Sequence, residues 1–177
     1  MRRVMTIDTS RCVGCEACVI ACKNENRVPD DNYRDWVVQE VRGEYPKVAL
    51  EIRSERCNHC TDAPCVTNCP TGASHHASDG TVQIDRSKCT GCRACIASCP
   101  YGARYAHPDG YVDKCSLCEH RLDRGEPTAC EAVCPTSAIV TGDADDPQSE
   151  VSKRLRRGSL HVVRPEAGTR PNVYYER

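Results

Sequence analysis

The chain has no phenylalanine, one tryptophan and only 5% aromatic residues. No stretch approaches the roughly 18 consecutive apolar residues of a membrane span. Aromatic side chains bring the largest apolar areas to a core, and small domains bury a lower fraction of their surface, so burial alone is a thin source of stability here. Charge of one sign is also missing. Lys and Arg number 24 against 25 Asp and Glu, which removes any general electrostatic case for nucleic acid. Before Cys12 there is no apolar run of the roughly 7–15 residues that a secretory signal needs, so none is expected, and no apolar stretch follows Arg2-Arg3 as in a twin-arginine signal. Nothing in the chain resembles a nucleophile–base pair, a phosphate loop or a substrate pocket.

What is abundant is cysteine: 16 residues fall into four quartets with none left over. The first is Cys12-x2-Cys15-x2-Cys18-x3-Cys22 and the second Cys57-x2-Cys60-x4-Cys65-x3-Cys69-Pro70. The third is Cys89-x2-Cys92-x2-Cys95-x3-Cys99-Pro100, and the fourth is Cys115-x2-Cys118-x11-Cys130-x3-Cys134-Pro135. The third has the spacing of a bacterial-type ferredoxin, in which three cysteines hold one cubane cluster and the fourth reaches its neighbour. Metal binding then becomes folding free energy and offsets the thin core. Eight disulfides would require an oxidising compartment, and no signal leads there. Structural zinc sites join C-x2-4-C pairs across a longer gap, a form that only the fourth quartet has. Four [4Fe–4S] clusters are therefore the expected cofactors, and the chain is expected to move electrons without being an enzyme itself.

Between the quartets the sequence predicts an α+β fold with short elements. Arg3–Asp8 reads as a strand entering the first quartet, and a helical turn continues past Cys22 because Lys23 stands where the other quartets have proline. Valine-rich runs at Trp36–Val41 and Val48–Arg53 flank a Gly/Pro-bearing turn and predict a β-hairpin. Strands are also expected at Thr81–Asp85 and Ala138–Val140, with a hairpin around His107-Pro108-Asp109. Trp36 is expected in the core, and His59, between Cys57 and Cys60, is a candidate donor to a cluster sulfur. Residues 151–177 carry seven Lys/Arg against Glu166 and Glu176, and suggest a docking arm or a solvated tail. At an offset of 77, Ile7-Asp8, Ser10, Cys12, Gly14-Cys15, Ala17-Cys18 and Cys22 recur as Ile84-Asp85, Ser87, Cys89, Gly91-Cys92, Ala94-Cys95 and Cys99. A duplicated two-cluster ferredoxin unit is the simplest account. Taken alone, the duplication pairs the first quartet with the second and the third with the fourth.

Longer motifs carry a resemblance. They are Cys12–Cys22, Arg56-Cys57-Asn58-His59-Cys60 through Cys69-Pro70-Thr71-Gly72, Cys95 through Cys99-Pro100-Tyr101-Gly102-Ala103-Arg104-Tyr105, Val112-Asp113-Lys114-Cys115 through Cys118, and Gly142-Asp143 through Ser149-Glu150-Val151-Ser152. With these the chain resembles the iron–sulfur subunits of the complex iron–sulfur molybdoenzyme family, most closely the polysulfide, thiosulfate and tetrathionate reductase types. The resemblance implies two interleaved bacterial-ferredoxin-like modules with inserted β-hairpins and an irregular C-terminal tail. Residues 1–30 with 100–145 would form the first module, 31–99 the second, and 146–177 a docking tail. It implies nested cluster ligation. Cluster one would take Cys12, Cys15, Cys18 and Cys134, and cluster two Cys22, Cys115, Cys118 and Cys130. Cluster three would take Cys57, Cys60, Cys65 and Cys99, and cluster four Cys69, Cys89, Cys92 and Cys95. The implied partners are a molybdopterin (Mo or W) catalytic subunit near cluster one and a multi-span, quinone-handling membrane anchor near cluster four. Inorganic sulfur respiration is the implied setting, on the periplasmic face of the membrane or alternatively the cytoplasmic one. A free polyferredoxin shuttling between soluble enzymes is the competing reading.

Overall fold

The computed structural model describes residues 1–158 and 160–177. Strand β1 (Arg3–Asp8) leads into the first cysteine loop and helix α1 (Ala17–Asn26). A long hairpin follows, β2 (Asp35–Glu44) and β3 (Lys47–Arg56), then α2 (Pro64–Thr67) and the short pair β4 (Ser74–His76) and β5 (Val82–Ile84). Next come α3 (Ala94–Ala97), the two-residue strands β6 (Tyr105–Ala106) and β7 (Val112–Asp113), and single turns α4 (Glu119–Leu122) and α5 (Ala129–Ala132). The chain closes with β8 (Ile139–Asp143), α6 (Glu150–Arg156), β9 (Leu160–His161) and β10 (Val173–Glu176).

The largest sheet has the order β8-β1-β10-β9. β1 runs antiparallel to β8, with Ile7 opposite Ile139, and parallel to β10, with Met5 opposite Val173 and Ile7 opposite Tyr175. In β1 the four residues Val4 to Ile7 are all buried, as a central strand covered on both faces requires. Met5 and Ile7 pack with Cys18, Val19, Leu117, Cys130, Ile139, Val173 and Tyr175. Val4 and Thr6 alternate to the other face, where α6 lies against β8 and β1. Ser149 caps α6 by accepting the Ser152 amide at 3.2 Å, and its acidic first turn and basic last turn suit the helix dipole.

Among the described residues, 146–177 thus contribute an α-helix, a 3-10 turn (Pro165–Ala167) and two strands among irregular stretches, and β10 is an interior strand. The hairpins expected from the valine runs and around His107-Pro108-Asp109 are present. Trp36 is half-buried, against Cys57, Ala103 and Cys115. Each of the three apolar clusters contains cysteine, so sulfur fills core volume that aromatic rings occupy in most proteins of this size.

Candidate metal centres

The ligand loops repeat the same backbone turns. Gly14 and Glu16 are left-handed (φ 69° and 58°), as are Gly91 and Arg93 (φ 68° and 63°), and each loop then enters a helix at the next residue. In the other two quartets the residue before the second cysteine is left-handed: His59 (φ 43°) and Leu117 (φ 56°). Glycine at 91 is forced by contact as well as by φ. A β-carbon there would stand 2.3 Å from the Gly110 carbonyl oxygen.

The helical turns bring the quartets together. α1 packs on α5, and α2 on α3. Third and fourth cysteines are four residues apart, about one helical turn, so the two sulfurs stand one above the other along the turn and reach two neighbouring groups. As a result Cys12, Cys15, Cys18 and Cys134 line one cavity, with Val37 and Ser54. Cys22, Cys115, Cys118 and Cys130 line a second, with Arg56, Asp35 and Thr128. Cys69, Cys89, Cys92 and Cys95 line a third, with Arg104. Cys57, Cys60, Cys65 and Cys99 neighbour one another in the remaining group. The foursomes combine the first quartet with the fourth and the second with the third, not the adjacent quartets that the duplication alone would pair. Cys18 faces Cys130 of the next group, and Cys115 faces Cys57 of the one after.

Several observations test what these groups suit. All sixteen cysteines are free. Among the described residues, no three His, Cys, Asp or Glu side chains converge as a single ion demands; three of the foursomes line cavities, the arrangement a multi-iron cluster needs. Backbone amides point at sulfur: Ser74 to Cys69 and Ala138 to Cys134 at 3.3 Å, Val112 to Cys89 and Leu117 to Cys115 at 3.4 Å. Such bonds stabilise thiolate ligands and tune cluster potentials. At Cys69 partial burial pushes the thiol up, but the Ser74 amide and Thr71 hydroxyl more than offset this and leave it below the ordinary thiol range. Cys134 follows the same pattern with Thr136 and Ala138. Burial pushes the Cys60 and Cys115 thiols up to about 12 and Cys22 further; a directly coordinated cation would hold them as thiolates. Finally, Arg104 Nε and Nη1 and Arg56 Nε are buried donors with no partner among the described residues. An anionic group beside them would satisfy what the protein leaves open. The residues fit [4Fe–4S] clusters.

His59 is engaged at one ring nitrogen only: Nε2 is buried with no partner among the described residues and stays free to donate. Its Nδ1 accepts the Val82 amide at 3.1 Å, and its carbonyl accepts from Asn172 Nδ2 at 2.8 Å, which ties the tail to the second ligand loop. Complete burial, with Lys114 and Arg104 nearby, holds the ring well below its usual titration range. The sequence reading missed Arg56, Arg104 and Lys114 as buried cations of the site. A signal existed: Arg56 and Lys114 each stand immediately before the first cysteine of a repeat-related quartet.

Cysteine foursomes on ferredoxin-like turns, with amides aimed at sulfur, define an iron–sulfur electron-transfer protein carrying [4Fe–4S] clusters. Two family profiles, each described as a 4Fe-4S dicluster domain, match residues 11–73 and 48–144. One chain of the polysulfide reductase of Wolinella succinogenes is 43% identical, over 96% of this chain and 91% of its own length. One subunit of the tetrathionate reductase of Salmonella typhimurium is 39% identical, over 98% and 72%. The arsenate respiratory reductase iron–sulfur subunit of a Shewanella species is 34% identical, over 100% and 97%. The present protein belongs to this 4Fe–4S dicluster family of reductase iron–sulfur subunits. Its role is electron transfer rather than catalysis. Among the described residues no helix is long and apolar enough to cross a membrane.

Proposed function

We propose that the chain relays electrons through four [4Fe–4S] clusters between a molybdopterin catalytic subunit and a quinone-handling membrane subunit. The sixteen cysteines are the ligands in the four foursomes described above, giving a linear order from Cys12, Cys15, Cys18 and Cys134 to Cys69, Cys89, Cys92 and Cys95. Residues 1–30 with 100–145 form one module, 31–99 the other, and residues 146–177 a docking segment folded against both. When bound, the clusters supply reversible one-electron storage. The protein supplies thiolates, sulfur-directed amides and a water-poor surround. The observation that carries this reading is that every cysteine falls into a foursome and none remains. An inorganic sulfur compound as the catalytic partner's substrate is supported by the names of two of the relatives above, which belong to polysulfide and tetrathionate reductases. The complex is taken to sit on the periplasmic face of its membrane.

An assembled complex, not a free shuttle, is supported by the long hairpin. On one of its faces Val37, Val41, Val48, Leu50 and Ile52 follow the alternation of paired strands. That face begins at the cavity of the first foursome, where Val37 and Ser54 line it, and ends with Val41 72% and Leu50 57% exposed. A contiguous apolar face of this kind marks an interaction site, and its continuity with the first foursome makes the catalytic subunit its occupant. Purification of the complex tests the reading. About sixteen irons per copy of this chain are expected, four for each cubane cluster, in company with a larger pterin-containing protein. A stable solitary monomer, or about half that iron, overturns it. Cys92→Ser should impair quinone-linked turnover more than dye-linked turnover at the pterin site; equal loss of both would place that foursome at the other end.

A further inference from the structure

Among the described residues Arg34, Arg53 and Arg154 are buried cations paired with carboxylates, whereas Arg56 (1% exposed), Arg104 (5%) and Lys114 (2%) are buried among the cysteines. Burying an unpaired charge is among the most expensive things a fold can do. Among the described residues the only carboxylate partner of these last three is Asp35, 3.7 Å from Arg56 Nη1. Arg104 and Lys114 have none there.

The two arginines face sulfur instead, and all three cations stand at a junction between two foursomes. Arg56 Nη1 donates to Cys130 Sγ at 2.9 Å, in the second foursome, while its Nη2 donates to Ser54 Oγ, which lies 3.5 Å from Cys18 Sγ in the first. Arg104 repeats the device at the far end of the molecule. Its Nη2 donates to Cys65 Sγ at 2.9 Å, in the third foursome, and to Ser74 Oγ at 2.9 Å. The Ser74 amide donates to Cys69 Sγ at 3.3 Å, in the fourth, and Arg104 also lines that foursome's cavity. Lys114 sits at the remaining junction. Its ammonium donates to the carbonyls of Val82 and Cys115, close to Cys115 of the second foursome and to Cys57 and Cys65 of the third. One cation therefore stands at each of the three gaps along the line.

We propose that Arg56 and Arg104, with Lys114 between them, are positioning residues that set the reduction potentials of the centres on either side of each gap. The inference rests on the four-cluster reading above. Reduction adds one electron, and one negative charge, to a cage already ringed by thiolates. A fixed positive charge at the gap stabilises that electron on either side. Electron transfer across the gap oxidises one centre and reduces the next. The guanidinium stays protonated throughout, so no proton moves. Because the cation is shared, it raises both flanking potentials together and changes the driving force between them little. An arginine suits this role better than a lysine, since its planar fork reaches a sulfur and a serine hydroxyl at once.

The test is a redox titration of the purified complex, followed by electron paramagnetic resonance, on Arg56→Gln, Arg56→Lys, Arg104→Gln and Arg104→Lys. At full iron content, the glutamine variants should lower the two flanking centres at least tenfold in reduced-to-oxidised ratio at a fixed potential, about 59 mV for one electron. The lysine variants should recover most of that shift. Full iron with unmoved potentials in the glutamine variants overturns the proposal. Loss of iron in the glutamine variants with retention in the lysine variants supports a requirement for the charge, whereas loss in both makes these side chains packing elements and also overturns it. A shift of full size in a non-flanking pair, with sixteen irons still present, contradicts the assigned order of centres and not the role of the charge. An iron count below sixteen in the unaltered complex contradicts the four-cluster reading itself.

Discussion

Asp113 shows how much of this fold depends on single buried polar contacts. Arg34 grips its carboxylate with both arms of the fork, Nη2 to Oδ1 at 2.9 Å and Nε to Oδ2 at 3.1 Å, and the Tyr105 hydroxyl donates to Oδ2 at 2.6 Å. Both side chains are nearly sealed from water. Removing one partner leaves the other charged and unpaired, which costs about 3–5 kcal/mol in buried pairs, while apolar replacement of both is far milder. Asp113→Ala should therefore lower the temperature at which the cluster absorbance bleaches, and Arg34→Met combined with Asp113→Leu should recover much of it. An Asp113→Ala protein that bleaches at the temperature of the unaltered one would count against the pair. Residues of this kind were hardly legible in the sequence. The cysteines were, because a cubane fixes their spacing and no other use accounts for all sixteen. A charged residue in a chain with 28% charged residues reads as solvated surface; Arg56 and Lys114 left a trace beside Cys57 and Cys115, but only tertiary packing reveals that Arg34 and Arg104 point inward.

The ligand loops and the sheet behave differently at the level of elements. Gly14, Gly91 and Gly102 all have left-handed backbones, so alanine at any of them carries a similar strain, about 1–2 kcal/mol. They differ in what surrounds them. A β-carbon at 91 meets a backbone oxygen at 2.3 Å, at 14 it meets the flexible Ile52 side chain at 3.3 Å, and at 102 it meets nothing within 4 Å. Gly91→Ala should therefore deplete iron most, Gly14→Ala less and Gly102→Ala least, as measured by iron per chain after identical purification. The short strand before each ferredoxin-type loop and the long hairpin were legible from alternation and turn residues. β10 was not. Val173–Glu176 is four residues long, and its parallel partner β1 lies at the opposite end of the chain, so no local pattern could reveal the pairing. Its burial carries a prediction: deletion of residues 171–177 uncovers Met5 and Ile7 along one edge of β1 and should give insoluble or iron-poor protein, not a chain shortened without consequence.

The same scarcity of aromatics that makes the clusters part of the core governs the molecule as a whole. Cys18 and Cys130 belong to one apolar cluster, Cys60, Cys65 and Cys95 to a second, and Cys57 and Cys115 to the third. Stripping iron from the complex with a chelator under oxidising conditions should thus expand this chain and abolish its sheet signal in circular dichroism, since ligand binding and folding are one equilibrium. The hairpin tip is the converse case. Val41 and Leu50 are paired across β2 and β3, largely exposed and remote from the cysteine-bearing cores. Lysine at both should change the chain's own stability by no more than about 0.5 kcal/mol, as exposed substitutions do, and should leave its iron content unchanged. If that face seats the catalytic subunit, burying two charges against it is strongly unfavourable. The Val41→Lys, Leu50→Lys protein should then retain its iron but fail to co-purify with the pterin subunit, while association with the membrane subunit survives. Loss of the membrane subunit instead, with the pterin subunit still bound, would assign the hairpin to the other end of the electron path.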